Sequence, residues 1–191
     1  NMVLDGFNLK KHESSIKIEL NTHGGINFNE LKTDSLDFYI RGTKEVKTNL
    51  YKLIFANCIS VIIKFRDSSG EHYQLELTDP KKQIKQLGYE KEDSLLINDS
   101  RVSSVYKNLR EYFAFPNRFL FFRLDKISDA LRQIKSNSIS IHFVFNDKYS
   151  RILNSVTKKN FALYCTPIVN LFKKRLERID YTDKKPEYLL V

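Results

Sequence analysis

The sequence predicts an α+β protein, mostly antiparallel sheet with short helices packed on it. Three observations lead there. Several short runs alternate apolar and polar residues with the period of two that a half-buried strand requires. Between them lie short stretches whose apolar residues recur at helical spacing. The order is strand, strand, helix, strand, strand, then helix, strand, helix, strand, which suits strands paired with near neighbours and helices laid over them.

Ser15–Leu20 (SIKIEL) alternates as a strand should, and Leu36–Ile40 (LDFYI) does likewise before Arg41-Gly42 breaks it. Thr43 is placed to cap the next helix, in which Val46, Leu50, Leu53 and Ile54 make one apolar stripe. Cys58–Phe65 is β-branched and apolar, hence a strand; Asp67-Ser68-Ser69-Gly70 is a turn, and Tyr73–Leu77 pairs back as a hairpin that Asp79-Pro80 ends. Lys81–Asn98 reads as irregular linking sequence, and a division into two lobes there is open. Asp99 or Ser100 can cap a helix on which Val102, Tyr106, Leu109 and Phe113 are helically spaced, running to about Ala114 and stopped by Pro116. Phe119–Leu124 is a strand, Ile127, Leu131 and Ile134 indicate a short helix, and Ile139–Phe145 alternates again. Tyr149–Val156 reads as a short helix, Phe161–Cys165 as a strand, Thr166-Pro167 as a turn, and Arg178–Tyr181 and Tyr188–Val191 as two short strands.

The 191 residues suffice for one domain, or two small ones, with a proper core. No apolar run approaches the roughly 20 residues that span a bilayer, and the first residues lack the basic-then-apolar pattern of a secretory signal. Asn1 precedes Met2, so the chain is expected to begin inside a longer protein or after a tag remnant. The net charge of +9 admits nucleic acid, an anionic surface or an acidic partner. Yet the Lys and Arg residues fall in short clusters near acids, and an AT-rich genome would produce the same Lys, Asn and Ile bias.

A search for chemistry returns little. His12, His23, His72 and His142 stand in no metal-binding spacing, and no GxSxG, GxxxxGK[ST] or GxGxxG occurs. Glu111 has no partner acid or base placed by spacing, and Asp125 and Asp129 fit a helix start. Cys58 and Cys165 read as two small buried thiols. No catalytic, cofactor-binding or metal-binding set emerges, so the expectation is that the chain is not an enzyme.

Two segments are dense. Glu111–Leu124 (EYFAFPNRFLFFRL) holds five phenylalanines and a tyrosine. Its rings could form the core, a protein interface rich in aromatics and Arg, or a platform on which Arg118 and Arg123 help stack nucleic acid bases. Alternation leaves both faces of Phe119–Leu124 largely apolar, which favours the core first and the interface second. The other segment is Phe161–Phe172 (FALYCTPIVNLF), where Asn170 among apolar neighbours should be partly buried and bridge backbone groups.

These two segments resemble motifs of the type VI secretion baseplate protein family TssF, also called VasA or ImpG. Glu111–Leu124 is similar to its EYFAFPxKFLFFDL segment, and Cys165–Phe172 to its CTPIVNLF segment. Leu36–Gly42 with Leu50–Ile54 looks like the family's LxFYLxG…LYxLL stretch, and Leu87-Gly88-Tyr89 with Leu95-Leu96 like its xGF…LLP stretch. The strand at Ser138–Phe145, that at Glu177–Tyr181 and Glu187-Tyr188 follow in family order. Arg123 replaces an Asp, Asn98-Asp99 replaces Pro-Tyr and Arg118 replaces the commoner Lys, as in a divergent member. The likeness covers 15–191, while 1–14 stays unassigned; family members are longer, so a central fragment is expected.

The resemblance implies a structural role in the wedge of the baseplate of a contractile injection system in the bacterial cytoplasm, docked at the inner-membrane complex. It implies TssG and a second TssF copy as partners, with TssK, sheath-initiating TssE and the VgrG spike. No cofactor, small-molecule substrate or membrane insertion is implied. The motif residues, structural or interfacial, are Glu111, Tyr112, Phe113, Phe115, Pro116, Phe119, Phe121, Phe122, Thr166, Pro167, Asn170, Leu171 and Phe172. The rival reading is a basic nucleic-acid-binding module using the Arg-flanked aromatics.

Overall fold

The computed structural model describes residues 2–4, 14–77, 79–96 and 103–170. Two antiparallel sheets form the body. The first has five strands in the order β1-β5-β4-β8-β2: β1 (Met2–Leu4), β5 (His72–Leu77), β4 (Cys58–Arg66), β8 (Ser138–Phe145) and β2 (Ser14–Asn21). The second has four in the order β6-β7-β3-β9: β6 (Ile84–Gln86), β7 (Phe121–Leu124), β3 (Leu36–Ile40) and β9 (Phe161–Ala162). Among the described residues, five short α-helices connect them: α1 (Lys44–Lys52), α2 (Pro80–Gln83), α3 (Ser104–Ala114), α4 (Ser128–Leu131) and α5 (Ser150–Leu153). The α+β class is as the sequence pattern predicts.

Alternation does its expected work along β8, where Ile139, Ile141 and Phe143 are buried and Ser140 and His142 between them are half-buried. β4 and β5 form the hairpin, turning at Asp67, whose carboxylate accepts from the backbone N–H of Ser69 and Glu71. Thr43 caps α1 by accepting from the N–H of Val46. After α1 the chain makes a π-turn over Leu53–Asn57 before entering β4.

One apolar core joins the sheets. Phe143 of β8 meets Phe38 of β3 and Phe122 of β7 edge-on, with ring centroids 6.5 and 5.8 Å apart. Phe38 and Phe122 are themselves stacked at 5.0 Å. Ile127, Leu131 and Ile134, the predicted stripe around α4, are all buried in the same cluster.

Several sequence expectations are corrected. Over its described residues, 81–96, the expected linker is not irregular: Asp79 caps α2, β6 follows as an edge strand on β7, and Lys91–Asp93 is a 3₁₀ turn. Each sheet draws strands from both sides of that stretch, so it lies inside the fold. Three-residue strands evade pattern reading because they are shorter than one alternation needs to declare itself. Within 1–14, Met2–Leu4 pairs with β5. Cys58 is buried, and burial pushes its thiol up to about 12, whereas Cys165 is exposed because β9 ends at Ala162. Asn170 is exposed rather than partly buried. The proposed caps Asp99 and Ser100, and the strands at Arg178–Tyr181 and Tyr188–Val191, lie outside the described residues. Among the described residues no helix is long and apolar enough to cross a membrane.

Candidate protein-protein interface

The helix α3 is amphipathic, but it is turned inside out. At 100° per residue, Val105, Tyr106, Leu109, Tyr112 and Phe113 fall in one arc of about 120°. That arc would ordinarily face the core. Here all five side chains are exposed, Phe113 at 77%. Lys107 and Glu111, one turn apart on the opposite side, are buried.

A buried ion pair sets this orientation. The Glu111 carboxylate is paired with the Arg118 guanidinium, and their side chains are 2% and 1% exposed. Oε1 of Glu111 also accepts from Ser94 Oγ at 2.7 Å and from the backbone N–H of Leu95 and Leu96 at 3.0 Å each. Arg118 Nη2 donates to the carbonyl of Gly88, and the guanidinium lies 4.7 Å over the Phe119 ring. Burial pushes the Arg118 pKa down while Asp93 pushes back. Asp93 in turn accepts from the Gly88 N–H at 2.8 Å. A charge buried without a partner is costly, so this network holds one face of α3 to the loop 87–96 and leaves the apolar arc outside.

Gly88 belongs to the same network. It sits at φ +95, and a Cβ there would stand 3.0 Å from the carbonyl oxygen of Arg118. Gly88→Ala is expected to cost about 1–3 kcal/mol from backbone strain alone, read as a lower urea midpoint with an unchanged slope.

The chain turns at Phe115 and makes a 3₁₀ turn over Pro116–Phe119. Phe119, Phe121 and Phe122 then go inward and are buried, while Tyr112, Phe113 and Phe115 stay exposed. The aromatic segment is therefore core in its second half and surface in its first. The two arginines of the nucleic-acid reading are engaged within the fold: Arg118 is buried, and Arg123 is clamped by Asp37, its cross-strand neighbour, at 2.6 and 2.8 Å. That pairing also accounts for an Arg at position 123, since β3 presents an acid opposite it.

The second motif meets the first. Ile168, Val169 and Asn170 line a cleft of about 250 Å³ together with Leu96, Ala114 and Phe115, with Glu111 and Arg118 at its inner wall. Thr166 and Pro167 line a neighbouring cleft of about 240 Å³ beside Gly88 and Arg118. Ile168 and Val169 are exposed, as is Tyr164, which is held at φ 57. Leu171 and Phe172 lie outside the described residues. Val105, the Gly88–Asp93 contact and the role of Ser94 escape sequence reasoning. The available signal was that Lys107 and Glu111, four residues apart on α3, share the face opposite the apolar stripe.

A family model described as "Type VI secretion system, TssF" matches residues 2–191. Among curated proteins, the type VI secretion system component TssF1 of Pseudomonas aeruginosa is 28% identical over 179 residues, covering 94% of this chain and 28% of its own length. Among solved structures, a chain of the type VI secretion system TssK-TssF-TssG baseplate subcomplex, determined by cryo-electron microscopy, superposes with a TM-score of 0.67 at 16% identity. That match covers 95% of this chain and 33% of the other. At such identity it establishes the fold. The chain thus spans about a third or less of the length of these two relatives.

Proposed function

This chain belongs to the TssF family of the type VI secretion system, and on that premise we propose that it is a structural, non-enzymatic part of the baseplate wedge that docks partners through the apolar arc of α3. One observation carries the proposal: Val105, Tyr106, Leu109, Tyr112 and Phe113 form a contiguous exposed apolar stripe on a helix whose other face is held inward by an ion pair. Exposed apolar patches rimmed by polar groups mark interaction sites, and aromatic side chains dominate interface energetics.

TssG and TssK are the partners that the likeness to a chain of the TssK-TssF-TssG subcomplex supports. A second TssF copy, TssE and the VgrG spike rest on the family resemblance alone, as does docking at the inner-membrane complex from the cytoplasm. The role is mechanical: a rigid two-sheet body presents docking helices while the core resists the load.

The test is co-expression with TssG and capture on a tag. Phe113→Asp combined with Leu109→Asp is expected to weaken capture at least about 30-fold, the scale of a lost hot spot. Both side chains are exposed, so the melting temperature should stay within a few degrees. Undiminished capture by the double variant would remove α3 as the docking surface. A full-length, folded protein that never associates with TssG would remove the functional reading itself.

A further inference from the structure

β2 stands at one end of the five-stranded sheet. All eight of its residues pair with β8, and among the described residues nothing pairs with its other side. An open strand edge is a row of N–H and C=O groups without partners, and proteins usually blunt it with proline, a bulge or repelling charge. β2 (SSIKIELN) contains no proline, and its register with β8 runs without a shift. Its only charges, Lys17 and Glu19, are opposite in sign and 2.7 Å apart.

The strand is also complementary to itself when reversed. In an antiparallel pair centred on Ile18, Ile18 faces Ile18 of a second copy, Ile16 faces Leu20, and Lys17 faces Glu19 on both sides of the centre. Cross-strand neighbours of this kind, apolar with apolar and base with acid, are the stabilising unit of a sheet. Beside the edge runs a groove of about 540 Å³ between β2 and β9, walled by Ile18, Leu20, Phe38, Val156, Phe161 and Leu163. Ile18 and Leu20 are only half-buried, while Ile139 and Ile141 on the adjacent strand are buried.

We propose that β2 is a self-association edge. Two copies of the chain join by antiparallel β2–β2 pairing about a two-fold axis at Ile18, so that the two five-stranded sheets become one. A two-fold axis normal to the sheet keeps both grooves on the same face. Pairing therefore merges them and covers the apolar walls of each, an isologous and closed contact. The occupant is a second copy rather than an unrelated strand because the charge order of β2 answers its own reverse. This deepens the assembly reading by naming the edge through which a second copy joins. It rests on β2 rather than on α3, so failure of TssG capture leaves it standing.

The test is sedimentation equilibrium of the full chain. The wild type is expected to dimerise. Lys17→Glu and Glu19→Lys each place two like-charge pairs across the axis and should raise the dissociation constant at least about ten-fold. The double variant K17E/E19K restores the original pattern and should return to within a few-fold of wild type. Mixing the two single variants should yield a heterodimer tighter than either homodimer. Both side chains are more than half exposed, so unchanged melting curves will show that the variants remain folded. A wild-type chain that stays monomeric at about 100 µM, or a dimer indifferent to these reversals, overturns the proposal.

Discussion

Arg118→Ala is expected to destabilise the chain by about 3–5 kcal/mol, because it strands the Glu111 carboxylate in the protein interior. Glu111 and Arg118 are both almost fully buried, so solvent screens neither charge. For a chain of this size each kcal/mol moves the melting temperature by about 2–4 °C, and the shift should be read by circular dichroism. Glu111→Ala should cost a similar amount, since it also releases the N–H groups of Leu95 and Leu96 and the hydroxyl of Ser94. The double variant Glu111→Leu/Arg118→Met should recover much of the loss, because two apolar side chains of comparable volume carry no desolvation penalty. A loss below about 1 kcal/mol for Arg118→Ala would mean that the pair is a surface contact in solution. It would also remove the reason α3 faces as it does.

Phe122→Ala should be equally severe and for a different reason. Its ring is fully buried and touches four others: Phe38 at 5.0 Å, Phe143 at 5.8 Å, and Phe55 and Phe161 at 6.4 Å. Truncation removes the ring that joins the two sheets and leaves a cavity, at a cost of about 3–5 kcal/mol in urea unfolding. Phe113→Ala, nine positions earlier in the same aromatic run, should change stability by no more than about 0.5 kcal/mol, because its ring is in solvent. Equal costs at the two positions would contradict the division of this segment into a surface half and a core half.

That division marks the limit of what could be read from residues alone. The strands β2, β3 and β8 were legible because period-two alternation over five or more residues has no helical equivalent; β4 was legible as a β-branched apolar run, and β5 as the strand returning from the turn at Asp67. The cap at Thr43, the turn at Asp67 and the stop at Pro116 were legible because each rests on the chemistry of one residue type. β6 and β9 were missed or overextended because they have three and two residues. Of the interface, the arc of α3 was visible as a helical stripe, but its direction was not. Periodicity says which side chains share a face, never which face looks outward.

By itself, then, the sequence determined the fold class, most strand positions, and membership of the TssF family through its aromatic and Thr-Pro motifs. These are properties of local pattern and of residue order. Only the tertiary structure decided how the strands among the described residues divide between two sheets, that Cys165 and Asn170 face solvent, and that α3 turns its apolar arc outward. The physical reason is the same throughout. Each outcome depends on contacts with residues distant in the chain; for α3 these are Arg118, Gly88 and the 94–96 backbone. Their joint demand for a buried carboxylate outweighs the pull of five apolar side chains toward the core.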